Sequence, residues 1–182
     1  MSRTLAANVP LNDVFIARTL CAETVLSDAA ATRRAFALAS LAHPRLTYGG
    51  WVRYLKRAAR PNQDRTGIMF LEDRRGYPHA MFRYAVDDRP SLVAAAAESA
   101  ARILRLSDIV AADVAADSLL PEIATLAERL AGSLDCAMVM IELPGALRIG
   151  QGALVGYEEA AGGVVFRPLP RDAETAASGA AA

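Results

Sequence analysis

The chain is short of lysine, histidine and cysteine. Lys56 is the only lysine among 20 basic residues, so the positive charge is almost entirely arginine. The two histidines, His43 and His79, and the two cysteines, Cys21 and Cys136, stand far apart in 182 residues. None pairs at metal-ligand spacing, and no metal is expected. Both cysteines have apolar neighbours and read as buried, inert thiols rather than as a disulfide or a nucleophile. Net charge is missing too. Lys+Arg and Asp+Glu balance at 20 each with no acidic or basic block, which argues against general nucleic-acid or anionic-membrane binding. No apolar run approaches the ~18–20 residues that span a bilayer, and MSRTLAANVPLNDVF lacks the long apolar core of a signal peptide. A reducing cytoplasm is the expected location, with no membrane partner. The G-x-S-x-G elbow, the Walker loop and a G-x-G-x-x-G after a strand are all absent.

What is present suits one folded domain. Apolar residues make up 53% and charged residues 22% of the chain, enough for a sizeable core. Residues 1–13 read as a flexible leader, 14–170 as a single domain and 171–182, small and polar, as a disordered tail. The best-marked stretch is GIMFLEDRRGYPHAMFRYAVD at 67–87. Ile68 to Leu71 are apolar on consecutive positions, as in a strand covered on both faces. After the break at Asp73-Arg74-Arg75-Gly76, Ala80, Phe82, Tyr84 and Val86 alternate with His79, Met81 and Arg83, which predicts an antiparallel hairpin. Phe70, Phe82 and Tyr84 read as core rather than as an RNA-stacking platform, because no basic surround accompanies them.

Around the hairpin, residues 14–20 read as a strand. Ser27 or Asp28 caps a helix to about Ala42, with Phe36 and Leu41 towards its buried side. A second helix over about 50–60 puts Trp51, Tyr54, Leu55 and Ala58 on one face. Arg53, Lys56, Arg57 and Arg60 share the other. That stripe is an ordinary solvated face unless an anion binds it. Residues 92–101 are Ala-rich and helical in character, and 103–110 resume a strand. Asp117 or Ser118 caps a helix with Pro121 in its first turn and Gly132 as its stop. Residues 136–141 form a buried strand, 146–159 are weakly helical, Gly162-Gly163 is a turn, and 164–169 form a last strand at the edge.

The order is β-α-α-β-β-(α)-β-α-β-(α)-β, an α/β (α+β) domain with a mixed, largely antiparallel sheet and helices on both faces. This order, with GIMFLEDRRGYPHAMFRYAV, LRLSDIVAADV, SLLPEIATLAERLAG and AMVMIE, resembles the GNAT acyltransferase fold, and YEEAAGG at 157–163 is similar to that family's Y-E-x-x-G-F segment. The resemblance implies transfer of an acyl group from acetyl-CoA or another acyl-CoA to a small-molecule or protein amine. It also implies a V-shaped opening between the two central strands. Its general acid would be Tyr157, and the carboxylates nearest a base role are Asp108 and Glu142. The bland readings are a packing tyrosine with its hydroxyl at the surface and solvent-facing strand ends. The cofactor would lie along Val110, Ala111, Ala112, Val114, Ala115, Ala116 and Ser118. The family's Q/R-x-x-G-x-G/A phosphate loop corresponds to DVAADS at 113–118, which has no Gly, Arg or Gln and sets Asp117 where a pyrophosphate would sit. The alternative expectation is therefore a catalytically inactive GNAT-fold binding or assembly protein. Exposed sheet edges leave room for a homodimer or a protein partner.

Overall fold

The computed structural model describes residues 8–10, 14–20, 28–58, 65–88, 102–112, 116–144, 154–160 and 162–169. They form β1 (Asn8–Pro10), β2 (Phe15–Leu20), α1 (Ala29–Ala42), α2 (Tyr48–Ala58), β3 (Thr66–Asp73), β4 (Pro78–Asp87), β5 (Ile103–Ala111), α3 (Ala116–Ser133), β6 (Met138–Glu142), β7 (Glu158–Ala160) and β8 (Val164–Pro168). The eight strands make one sheet in the order β1-β2-β3-β4-β5-β6-β8-β7. Every pair is antiparallel except β5 with β6. The helix predicted at 92–101 lies outside the described residues. Among the described residues no helix is long and apolar enough to cross a membrane.

The hairpin forms as its pattern dictates. Gly76 takes a left-handed φ of 80° in the turn, and the Asp73 carboxylate accepts from the backbone N–H of Arg75 and of Tyr77, each at 2.9 Å. Both faces of the sheet are covered. Met69, Leu71, Phe82, Tyr84, Leu104, Leu106 and Ile109 pack under α3 with its Leu119, Ile123 and Leu130. Ile68, Phe70, Met81 and Val110 pack under α1 and α2 with Leu38, Trp51 and Leu55. Each large side chain buried this way contributes about 1.5–3 kcal/mol before the entropy of ordering is subtracted.

α1 begins where its cap predicts. The Asp28 side chain accepts from the Ala31 N–H at 2.8 Å, and its other oxygen meets Arg18 at 3.0 Å. The capping bond comes first among the effects that hold the Asp28 carboxyl below its ordinary 3.8, and burial opposes them. Its contribution to stability is therefore complete above the unfolded value and is lost as pH falls through the lower folded one. Asp28→Ala is expected to cost about 1 kcal/mol at neutral pH. Urea melts should show that gap closing in acid; an Asp28→Ala curve parallel to the parent down to acid would contradict the assignment.

Several details differ from expectation. Leu41 is exposed, because α1 lies on the sheet through Leu38 and the small residues Ala31, Ala35 and Ala39, which allow close approach. Asn8–Pro10 pairs with β2, so the sheet starts inside the stretch read as leader. Residues 158–160 are a strand rather than helix, and they take the edge, leaving β8 between β6 and β7. Pro168 is tolerated there because it ends its strand. α3 starts at Ala116, so Pro121 falls in its second turn.

α3 runs one residue past Gly132, to Ser133, and the left-handed residue that terminates it lies two further on. Asp135, at φ 56°, occupies the left-handed position. Its N–H reaches the Gly132 carbonyl at 3.3 Å and the Cys136 N–H reaches Ala131 at 2.9 Å, the paired bonds of a Schellman turn. A carboxylate there is unfavourable on backbone and dipole grounds. Asp135→Gly is expected to raise stability by about 0.5–1 kcal/mol, read as a higher denaturation midpoint; a lower midpoint would show that the Arg102 contact at 3.9 Å outweighs the backbone strain.

Candidate functional site

The site begins with a fault in β5. Leu104 and Leu106 face α3, and strict alternation would put residue 108 there next. Instead Ile109 faces α3 and Val110 faces α1 and α2. The ladder shows why: Arg83 pairs with Ser107, but Met81 pairs with Val110, so β5 carries one residue more than β4. Asp108 lies in this bulge at a left-handed φ of 51°. The sequence did carry the signal, an apolar series at 104, 106 and then 109 that slips by one.

On the far side of β5 the parallel pairing with β6 covers only Ile103 to Leu106, opposite Met138 to Ile141. From Ser107 to Ala111 the β5 edge has no β6 partner, β6 itself ending at Glu142. Where the pairing ends, Arg105 of β5 donates from Nε to the Glu142 carboxylate at 2.7 Å, with Nη2 on the same oxygen. β5 then leads to the N-terminus of α3. Val110, Ala111 and Ala112 line its end, and Ala116 and Ser118 open the helix. Asp113, Val114 and Ala115 lie outside the described residues, as do the side chains of Ala116, Asp117 and Ser118.

On the other face, the bulge meets a cavity of about 400 Å³. Its walls come from the end of α1, from α2 and from β3, β4 and β5, and none from β6 or α3. Asp108 borders it and accepts a hydrogen bond from the Tyr54 hydroxyl at 3.1 Å. Burial first, then the charge and hydrogen bond of Asp108, push the Tyr54 hydroxyl up to about 12. Tyr54 is therefore a neutral donor through the physiological range and holds the Asp108 carboxylate in place. Its own ring is stacked on Trp51, centroids 5.6 Å apart. Trp51 in turn donates from Nε1 to the Thr32 carbonyl at 3.1 Å, which ties α2 to α1. Arg53, Arg57 and Arg83 also reach the cavity. Lys56 is exposed and not in the lining, and Arg60 lies outside the described residues.

The three catalytic candidates are not brought together. Only Asp108 borders the cavity. Glu142 is engaged by Arg105 where the β5–β6 pairing ends. Tyr157 lies on the α3 face, before β7, with Arg167 over its ring at 5.9 Å. Its hydroxyl is buried beside Glu128 rather than at the surface, and burial, then the Glu128 charge, raise its pKa. Glu128 accepts from Arg167 at 2.8 Å. His79 packs edge-on against Phe15, away from the cavity. Cys136 is buried and its thiol is pushed up to about 11 by that burial, while Cys21 lies outside the described residues. Tyr54 and Arg83 were missed as site residues, Tyr54 because its helical spacing reads as core and Arg83 because it reads as the outer side of a hairpin.

No family model and no curated protein matches the chain. Solved structures do. The apo structure of RimL, a ribosomal-protein alpha-N-protein acetyltransferase, is 8% identical, with 93% of this chain and 98% of that one covered at a TM-score of 0.56. Glucosamine-6-phosphate N-acetyltransferase from Arabidopsis thaliana is 15% identical over 72% and 83%, at 0.52. The GNAT domain of S. lividans PAT is 17% identical over 90% and 96%, at 0.50. At such identities the likeness is one of fold, and the fold is that of the GNAT acetyltransferases.

Proposed function

Given a chain with the GNAT fold, we propose that it is an N-acyltransferase that moves an acyl group from acyl-CoA to an amine. The observation that carries this is the placement of Asp108, on a bulge where β5 has run past its pairing with β6 and meets a cavity on the opposite face. That stretch suits an extended thioester chain, since among the described residues the β5 edge from Ser107 to Ala111 has no β6 partner and offers backbone groups for it to pair with. Val110, Ala111 and Ala112 would hold that chain, and the first turn of α3 with Ala116 and Ser118 would face its phosphates. A bound acyl-CoA supplies a thioester, so that a C–N bond replaces a C–S bond while one proton leaves the amine and one joins the departing thiolate. Asp108 draws the acceptor's ammonium to the bulge and takes its proton. Tyr54 keeps that carboxylate oriented. Trp51 and Met81 wall the cavity on that face and limit water. Glu142 remains the alternative base and Tyr157 the proposed acid, tested by Glu142→Gln and Tyr157→Phe in turnover assays.

A second reading, an inactive GNAT-fold binding or assembly protein, is favoured by one feature, the phosphate-loop segment 113–118 with neither Gly nor Arg. Calorimetric titration with acetyl-CoA and CoA separates the two. Binding at about micromolar concentration is expected. No heat and no thermal shift at about millimolar ligand would retire the transferase. If Asp117 then proves responsible, Asp117→Gly restores affinity.

A further inference from the structure

Among the described residues, the cavity beside Asp108 is lined by more positive than negative charge. Arg53 and Arg57 reach it from α2 and Arg83 from β4, and Asp108 is the only acidic residue among the described residues of its walls. None of these three arginines forms an ion pair among the described residues. Elsewhere the chain pairs its sheet arginines: Arg18 meets Asp28, Arg105 meets Glu142 and Arg167 meets Glu128.

Arg83 is the most informative of the three. It is half-buried, lines the cavity and has no acceptor for its Nε–H among the described residues. Arg83 also stands opposite Ser107 in the ladder, next to the residue that bulges. A positive fork therefore sits beside a carboxylate held by Tyr54. The planar guanidinium suits the oxygens of a carboxylate or a phosphate, and Asp108 suits an ammonium. A volume of about 400 Å³ is that of a small-molecule site.

Resting on the transferase reading above, we infer that the acceptor is a small zwitterion whose ammonium sits at Asp108 and whose oxyanion, carboxylate or phosphate, is bound by Arg83 with Arg57 and Arg53 at the mouth. Arg53 and Arg57 are exposed, so they draw the anion in from solvent, while Arg83 binds it.

The test is calorimetric titration of the full chain without acyl-CoA, using matched pairs: β-alanine against β-alaninamide, and phosphoethanolamine against ethanolamine. In at least one pair the anionic member should bind about tenfold tighter or more, with the ratio shrinking as salt rises. The pair with the larger ratio distinguishes carboxylate from phosphate. Arg83→Gln should abolish the ratio. Arg57→Gln, at an exposed position, should lower it severalfold without moving the melting temperature. Equal affinities within both pairs, or a ratio that survives both substitutions, overturns the inference. The transferase reading fails separately. Anion-selective binding by a protein that never consumes acetyl-CoA leaves the anion site standing and removes that reading, whereas turnover with no preference for anionic amines removes the anion site alone.

Discussion

Asp108→Asn is expected to lower kcat by about 10²- to 10⁴-fold, the usual contribution of a positioned acid or base, while melting at nearly the parent temperature. The asparagine keeps an oxygen for the Tyr54 hydroxyl, now 3.1 Å from the carboxylate, so the geometry survives and only the charge and basicity go. Two side chains should behave differently from it. Tyr54→Phe leaves the carboxylate in place but frees its rotamer, and a loss of about tenfold is expected, since this residue positions rather than reacts. Glu142→Gln unpairs Arg105 where the β5–β6 pairing ends, so its effect should appear at least partly in stability. Steady-state assays with acetyl-CoA, and melting curves on the same preparations, make the comparison. An Asp108→Asn enzyme within about twofold of the parent would remove Asp108 from the chemistry.

The largest expected effect on stability comes from the smallest residue of the hairpin. Gly67 faces Tyr84 across the β3–β4 ladder, and the hydroxyl end of the Tyr84 ring lies against it. A Cβ at position 67 would stand 2.6 Å from ring carbon Cε1 and 2.7 Å from the hydroxyl oxygen. Tyr84 is fully buried in the cluster beneath α3, so the ring has no open space to move into. Gly67→Ala is therefore expected to cost about 1–3 kcal/mol, and in a chain of this size each kcal/mol lowers Tm by about 2–4 °C. This is the reverse of the general rule that alanine is better than glycine inside a strand. A double-mutant cycle with Tyr84→Leu isolates the cause: strong coupling is expected, because the smaller side chain removes the clash. Additive effects would mean that the cost comes from elsewhere.

The fold was legible because local and long-range signals agree along most of the chain. The hairpin could be read from two unlike apolar patterns around a Gly-terminated turn, α1 from its Asp28 cap, and the parallel strand pair from two buried runs flanking a long amphipathic helix. The misreadings have physical causes. Periodicity places Leu41 inward because it counts apolar residues, whereas the helix seats itself on its alanines. Gly132 reads as the stop because a Schellman turn usually takes glycine, whereas here Asp135 adopts that backbone. β7 was invisible because three residues of charged and small character become a strand only when β8 supplies a partner. The site was less legible than the fold. The resemblance points to Asp108 and Glu142 as the carboxylates nearest a base role, but nothing local shows that a bulge brings Asp108 to the border of a cavity. Arg83 and Tyr54 come from different elements, and only the sheet register and the packing of α2 bring them to the same walls.

The bulge has one more implication. Ser107 and Ile109 already face the sides that an uninterrupted strand would give to consecutive residues, so Asp108 is supernumerary to the β4–β5 ladder. Excising it should leave Ile109 and Val110 in their present packing clusters and close the strand into regular alternation. The shortened chain is expected to fold as cooperatively as the parent and to have no activity, with circular dichroism and a single melting transition as the checks. Scaffold and chemistry would then be separable at one peptide unit, and the same sheet could gain or lose its reactive group by insertion or deletion of a single codon.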